Sequence, residues 1–291
     1  MHSFFAGVLL VFVSAFGFGL MPIFALYAYR SGINVPTLLF LRFGIAAICL
    51  FAYILARQTR WVVPRGEMVS LFFLGGVLYT LQSTFYFSAV RYIPASLAAL
   101  ILYLYPVIVA LLAVLLENET LSWKSMAPAL LSLIGIVIVL GVPVERPDWF
   151  GVLLAFGAAL VYSVYIIIGR RVVARIPALV TTAFISAFAA VSFLVYGGIT
   201  QSLNFDLPVE TWVLVLGIVL FSTILAMATF FAGMDIIGAT RASILSTIEP
   251  VITIGFSVLL LDEKISWGQG TGALLVLTGT IWVISQRGRS N

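Results

Sequence analysis

Charged residues are scarce in this sequence. Only 9% of its 291 residues are Asp, Glu, Lys or Arg, whereas 63% are hydrophobic and the mean hydropathy is +1.19. Soluble proteins carry about 25% charged residues, so this composition cannot supply a water-facing surface. The sequence therefore predicts an integral membrane protein whose surroundings are mostly lipid.

Histidine and cysteine each occur once, as His2 and Cys49. A single cysteine allows no internal disulfide and no metal cluster. The sequence also lacks a GxxxxGK[ST] phosphate loop, an HExxH or GxSxG motif and a paired acidic motif. These absences argue against ATP hydrolysis by this chain and against a membrane enzyme, and we expect no cofactor and no metal.

Long apolar segments fill the sequence, and ten of them can cross a membrane. They lie at about residues 3–29, 35–56, 66–90, 93–116, 122–142, 148–169, 177–200, 209–235, 238–261 and 265–285. Each carries the ~20 mostly apolar residues that a ~30 Å hydrocarbon core requires. The alternating pattern of barrel strands is absent, so we predict an all-α polytopic membrane protein with ten transmembrane helices.

The distribution of basic residues predicts the orientation. With a cytoplasmic N-terminus, ten of the fifteen fall in cytoplasmic segments: Arg57, Arg60, Arg65, Lys124, Arg170, Arg171, Arg175, Arg241, Arg287 and Arg289. Four fall on the other side: Arg30, Arg91, Arg146 and Lys264. The positive-inside rule then places both termini in the cytoplasm. The basic charge orients the protein and does not indicate nucleic-acid binding.

The two halves of the chain resemble each other. GVLLVF at 7–12 recurs as GVLLAF at 151–156, and PVIVALLAVLLENETLSW at 106–123 recurs as PVITIGFSVLLLDEKISW at 250–267. The offset is 144 residues in both cases, so each half holds five spans. An odd number gives the halves opposite orientations. Inverted repeats are typical of secondary transporters with a site near the midplane, and they also occur in some channels.

Three segments resemble a known family: EPVITIGFSVLLLDEKISWGQGTGALLVLTG at 249–279, YPVIVALLAVLLENETLSW at 105–123 and LRFGIAA at 41–47. The sequence is similar to the EamA branch of the drug/metabolite transporter superfamily. The resemblance implies two five-helix repeats, at 1–142 and 143–291, with cytoplasmic termini and a central cavity. It also implies export or exchange of small organic metabolites. In the first half Tyr105 precedes Pro106, whereas in the second half the acidic Glu249 precedes Pro250. Any carboxylate chemistry at this position therefore belongs to the second half only.

Two charged residues lie deep within spans. Glu249 lies about 11 residues into the ninth span, where a charge costs roughly 2.5–3.5 kcal/mol on insertion scales. It is a candidate counter-ion for a substrate amine, a candidate proton-coupling group, or a neutral structural carboxyl. Arg42 lies ~12 Å from the outer end of the second span. It could bind a substrate carboxylate, pair with Glu249, or bind backbone carbonyls, and we favour the structural role because arginine here belongs to the family pattern.

Two polar stripes are predicted to line the central cavity, because each occupies one face of a membrane helix. They consist of Tyr79, Gln82, Ser83 and Tyr86 in the third span, and of Ser246, Glu249, Pro250 and Thr253 in the ninth. The alternative is hydrogen bonding between helices. Tyrosines within spans are further candidates for binding ammonium groups and rings, with simple packing as the alternative: Tyr79, Tyr103, Tyr105, Tyr162 and Tyr165.

Prolines and glycines indicate where helices bend and where two helices come into close contact. Pro106 and Pro250 occupy matching positions in the two halves and are predicted to kink the fourth and ninth helices, as hinges for gating or as static bends. Gly268 and Gly272 form a GxxxG pair, which allows a close helix contact inside the chain or in a homodimer.

The sequence favours a secondary transporter. With one acidic and one basic residue embedded, the cavity is nearly neutral, which argues against highly anionic substrates. We therefore expect export of small zwitterionic or cationic, amino-acid-like metabolites by alternating access in the cell membrane. The expected partners are this solute, the bilayer, protons as one option for the coupling ion, and a second copy as one option for assembly. The alternative is a channel or facilitator for small polar solutes.

Overall fold

The structure is a computed structural model that describes residues 2–57, 63–89, 92–93, 95–117, 123–141, 148–261 and 265–286. Within these ranges the chain is helical almost throughout and contains no strand. Nine helices in these ranges are long and apolar enough to cross a membrane. A shorter apolar helix, Met126–Leu140, lies in the predicted fifth span. The chain is therefore a multi-pass membrane protein.

Parts of the sequence argument lie outside the described residues. They are Arg60, Arg91, Arg146, Lys264, Arg287 and Arg289 of the orientation argument, and residues 118–122 and 262–264 of the family-like segments.

The described residues of the first half form seven α-helices and one π-helical segment. They are α1 (His2–Arg30), α2 (Val35–Ala56), α3 (Arg65–Phe72), π1 (Phe73–Tyr79), α4 (Thr80–Ala89), α5 (Ala95–Leu102), α6 (Tyr105–Glu117) and α7 (Trp123–Leu140). The segment π1 continues α3 into α4 without a break. Helices α5 and α6 are two parts of one span, separated at residues 103–104.

The second half repeats this order. It contains α8 (Trp149–Val173), α9 (Ala178–Ile199), α10 (Val209–Gly217), π2 (Ile218–Leu225), α11 (Ala226–Ile237), α12 (Ala239–Ser246), α13 (Glu249–Leu261) and α14 (Trp267–Ser285). Each half thus has two uninterrupted helices, a helix with a π segment, a broken helix and a final helix.

Helices of the first half pack against helices of the second. Helix α2 packs against α9 and α7 against α14, while α1 packs against α11 and α8 against α4. Every one of these contacts joins the first half to the second, so the interior of the bundle lies between them. Polar side chains there are enclosed by protein.

Local sequence signals account for several helix starts. The Asn34 side chain accepts a hydrogen bond from the Thr37 N–H at 3.0 Å, and Asp148 caps α8 in the same way. Ser266 and Gln269 form a reciprocal capping box at α14. These side chains satisfy N–H groups that a helix leaves unpaired at its start.

The fourth and ninth spans are interrupted at the two proline positions, where the sequence predicted kinks. Pro106 and Pro250 are each the second residue of a new helix, and the preceding turn is closed by tighter bonds, such as Thr247 N–H to the Ile244 carbonyl at 3.2 Å. Proline fits the first turn of a helix, because its missing N–H would be unpaired there. The spans therefore stop and restart rather than bend smoothly. The role of the prolines as hinges stays a prediction.

Glycines bring α7 and α14 into backbone contact. A Cβ on Gly272 would lie 2.5 Å from the Gly135 carbonyl oxygen, and one on Gly279 would lie 2.8 Å from the Pro128 carbonyl oxygen. Gly268 is farther from its neighbours, with the Ile138 carbonyl oxygen at 3.6 Å. The close contact that the GxxxG pair allows is therefore made by Gly272 inside the chain.

Gly272→Ala should destabilise the protein, because the new methyl group meets backbone that cannot move aside alone. Overpacking of this kind costs about 1–3 kcal/mol. Gly270→Ala is the matched control, since a Cβ there would meet nothing within 4 Å. Thermal unfolding of the purified variants in detergent should give a lower Tm for Gly272→Ala only. Equal Tm values for the two variants would contradict the close packing of α7 on α14.

Candidate functional site

Five tyrosines from three parts of the chain form a continuous group, here called the tyrosine cluster. Its members are Tyr79 of π1, Tyr103 between α5 and α6, Tyr105 at the start of α6, and Tyr162 and Tyr165 of α8. Neighbouring ring centroids lie 5.9 Å apart for Tyr79 and Tyr165 and 5.9 Å for Tyr165 and Tyr162. The chain of rings continues with 4.8 Å from Tyr162 to Tyr105 and 6.2 Å from Tyr105 to Tyr103. Polar phenols and aromatic faces therefore meet in the interior of the bundle.

The Glu249 carboxylate lies beside this cluster. It is close enough to Tyr103, Tyr105 and Tyr162 to interact with them electrostatically. The side chain is half-buried, and no hydrogen bond or ion pair to its carboxylate is found among the described residues. A carboxylate inside a membrane protein normally has a partner or faces a cavity. Glu249 is thus available to a ligand or a proton.

The backbone around Glu249 is fixed by a contact between α13 and α1. A Cβ on Gly19 would lie 2.7 Å from a methyl carbon of Ile252, so the two helices touch at this level. The Thr253 hydroxyl donates to the Gly19 carbonyl at 2.9 Å and lies 3.1 Å from the Glu249 carbonyl. Glu249 also begins α13, where the positive end of the helix dipole favours an acidic side chain. The helix start therefore aims the carboxylate and partly offsets its charge.

Tyr105 holds the corresponding position in the first half and ties the two broken spans together. Its hydroxyl donates to the Ser243 carbonyl of α12 at 3.2 Å, and its own carbonyl accepts from the Ser163 hydroxyl at 3.4 Å. Ser246 is only 1% exposed, and its hydroxyl lies close enough to the Tyr105 phenol to interact with it as a hydrogen-bonding group. Ser246 and Tyr105 therefore lie together near Glu249. That the polar stripe of the ninth span lines a cavity stays a prediction.

Arg42 has a different environment. Its guanidinium is bonded to Thr223 Oγ1 at 2.7 Å, to the Ser222 carbonyl at 2.9 Å and to the Met21 sulfur at 3.0 Å, and it lies over the Phe43 ring at 4.8 Å. The residue is 3% exposed. No ion pair between Arg42 and Glu249 is present within the described ranges. These contacts support the structural interpretation of Arg42.

The π-helical segment π2 explains how Arg42 finds acceptors inside a membrane. A π turn widens the helix and displaces carbonyls from their usual partners, and such turns are frequent at functional sites. The Ser222 carbonyl is one of these acceptors, and the Ser222 hydroxyl donates in turn to the Gly17 carbonyl at 2.6 Å. Arg42 therefore links α2 to π2, and π2 is linked to α1.

The polar stripe of the third span is divided between two places. Tyr79 belongs to the tyrosine cluster, and Tyr86 lies near it, since Tyr86 is within electrostatic range of Tyr103. Ser83 instead faces a cleft between α2, α4 and α9, and its hydroxyl is 3.4 Å from the Gln82 side-chain oxygen. Sequence reasoning missed Ser222 and Thr223 as partners of Arg42, although a polar pair in an apolar span is a visible signal.

Basic residues at the end of α8 connect three neighbouring helices. Arg175 pairs with Glu67 of α3 at 2.6 Å, and Arg170 pairs with Asp235 of α11 at 3.3 Å. Arg171 donates to the Leu116 carbonyl of α6 at 2.8 Å. The bonds of Arg175 and Arg171 therefore join the second half to the first, whereas the Arg170–Asp235 pair lies within the second half.

A bundle of membrane-spanning helices with a half-buried carboxylate and an aromatic interior fits a membrane protein that handles small solutes. The sequence matches the model of the EamA-like transporter family twice, over residues 5–141 and 149–285. The chain therefore belongs to the EamA-like transporter family, a branch of the drug/metabolite transporters, as the sequence predicted.

Individual relatives agree with this assignment. The chain is 26% identical to the uncharacterized transporter YyaM of Bacillus subtilis strain 168 over 82% of this chain and 81% of that protein. It is 37% identical to the aromatic amino acid exporter YddG of Ancylobacter novellus, over 38% of this chain and 40% of that protein. One solved crystal structure superposes with a TM-score of 0.80 at 26% identity, covering 98% of this chain and 99% of that one.

Arg42→Ala should lower thermal stability and yield more than it changes substrate preference. The substitution removes the donors to two buried oxygens, and an unsatisfied buried acceptor costs about 1–3 kcal/mol. Arg57→Ala is the control, because it removes a charge of the same sign from an exposed helix end over Tyr53. Tm in detergent and a panel of substrates measure the two effects. A normal Tm combined with an altered substrate order would assign Arg42 to substrate binding instead.

Proposed function

We propose that this protein is a secondary transporter that exports small zwitterionic or cationic metabolites from the cytoplasm by alternating access. The observation that carries the proposal is the Glu249 carboxylate, which lies beside the tyrosine cluster without a hydrogen bond or ion pair in the described part of the chain. Such a carboxylate would attract a ligand that brings a positive charge into the bundle. A substrate amine meets this requirement.

The tyrosine cluster supports an aromatic substrate. An ammonium group binds well over aromatic faces, and an aromatic side chain can stack on the same rings. The phenol hydroxyls and the Ser246 hydroxyl would then receive the substrate carboxylate, since Arg42 is engaged elsewhere. The similarity to an aromatic amino acid exporter over part of the chain makes aromatic amino acids the first candidates.

A proton is the natural competitor of the amine. A carboxyl that holds either a proton or an ammonium group would exchange one for the other, so substrate release would be coupled to proton uptake. The same residue would then serve recognition and energy coupling.

Alternating access would use the repeated order of the two halves. We assign residues 1–142 and 143–291 to two five-helix repeats with opposite orientation, giving ten spans with both termini in the cytoplasm of a cell membrane. The paired helix breaks at Pro106 and Pro250 would allow half-helices to move. The bond between Arg175 and Glu67, which joins the two repeats, would close the cytoplasmic end while the other end is open.

Glu249→Gln should reduce the exchange of tryptophan in proteoliposomes by about tenfold or more, because a charge-assisted bond is worth about 1.5–3 kcal/mol. The amide keeps the shape of the side chain, so Tm and gel-filtration behaviour should stay normal. Glu210→Gln, at the exposed start of α10, is the matched control and should exchange tryptophan normally.

A wild-type rate and pH dependence in the folded Glu249→Gln variant would refute this role. The same assay separates a transporter from a channel. A transporter saturates and shows accelerated exchange against internal tryptophan, whereas a channel shows neither.

A further inference from the structure

A cleft opens between α2, α4 and α9, away from Glu249. Its volume is about 180 Å³. Leu39, Phe193 and Tyr196 form one wall, and Ser83, Thr84 and Ser88 form the other. The cleft therefore has an apolar, partly aromatic side and a side of hydroxyl groups.

The cleft exists because the third span leaves α9 halfway along its length. The segment π1 is held on α9, where the Ser192 hydroxyl donates to the Gly76 carbonyl at 2.9 Å and Gly75 packs against the Ile185 backbone. After π1 the chain turns toward α8, and α4 packs against that helix instead. A gap is left beside α9 that begins at the level of Ser83.

Aromatic rings connect the cleft to the tyrosine cluster. Phe193 is stacked on Phe43 with a centroid distance of 6.1 Å and an interplanar angle of 11°. Phe43 meets Tyr79 edge to face at 4.9 Å. Phe193 thus belongs to the wall of the cleft and to the same chain of rings that ends beside Glu249.

The hydroxyl wall indicates the kind of ligand. Ser83 is only 6% exposed, and its hydroxyl makes a long contact of 3.4 Å with Gln82. Thr84 donates to the Thr80 carbonyl of its own helix at 2.8 Å, which leaves Ser83 and Ser88 to face a ligand. None of the residues lining the cleft is charged, so a molecule without net charge fits best. A lipid tail would leave the hydroxyls unpaired, whereas a small molecule with a ring and a polar group satisfies both walls.

We propose that this cleft is a second binding site for the transported solute, occupied between the tyrosine cluster and the side of the membrane opposite the termini. The inference rests on the proposed function and extends it. The aromatic or apolar part of a net-neutral solute lies against Phe193 and Tyr196, and its polar group lies against Ser83 and Ser88.

Cysteine protection tests this site, because Cys49 is the only native cysteine and Cys49→Ser gives a cysteine-free background. Ser88→Cys, with Thr84→Cys as a second position, is treated with a charged, membrane-impermeant thiosulfonate in proteoliposomes. Tryptophan at ten times its half-protecting concentration should slow the modification by about tenfold. Asp206→Cys, in an exposed loop, is the control that should react at the same rate with and without tryptophan.

The same measurement with Glu249→Gln separates the two sites. Protection of Ser88→Cys that persists in this variant supports a separate site, whatever happens to transport. Protection that disappears with Glu249→Gln, or no protection at all, would overturn the proposal. Reaction with a membrane-soluble reagent but not with the charged one would mean that lipid fills the cleft and would also overturn it.

Discussion

Lipid offers no hydrogen bonds and no counter-charges, so each embedded polar group must be satisfied inside the protein. Arg42 and Glu249 meet this constraint in opposite ways. The Arg42 guanidinium is bonded to Thr223, the Ser222 carbonyl and Met21. Glu249 has no comparable partner in the described residues and instead faces the tyrosine cluster. The arginine therefore holds helices together, whereas we propose that the carboxylate binds a ligand.

Irregular helices make both environments. The π2 segment turns a carbonyl toward Arg42, and the break before Pro250 places Glu249 at a helix start rather than inside a continuous helix. In a regular helix the Ser222 carbonyl would be used by the backbone. The two interruptions lie in neighbouring spans of the second half, and α1 contacts both through Gly17 and Gly19. Stability and the candidate site thus depend on the same small set of contacts.

Much of the fold follows from the sequence, because the apolar segments and the prolines act locally. The family is confirmed, and nine of the ten predicted spans are found in the described residues. The helices are also interrupted at Pro106 and Pro250. The π segments are not visible in the sequence, since they depend on which neighbours accept or donate hydrogen bonds. Because Arg42 and Glu249 both lie deep in spans, an ion pair between them was a reasonable hypothesis. Only the packing of α2 on π2 shows that the guanidinium binds Ser222 and Thr223 instead. The division of the third-span stripe also depends on packing, because Ser83 faces α9 only where α4 diverges from it.

The central claim is that the Glu249 carboxylate meets the amine of the substrate. It is tested most directly by measuring the binding of tryptophan and of its amine-free analogue indole-3-propionate to the wild type and to Glu249→Gln. The account predicts that the substitution weakens tryptophan binding about tenfold or more and leaves the analogue nearly unchanged, so that the coupling energy is at least about 1.4 kcal/mol. Equal losses for the two ligands, or none for tryptophan, would contradict it.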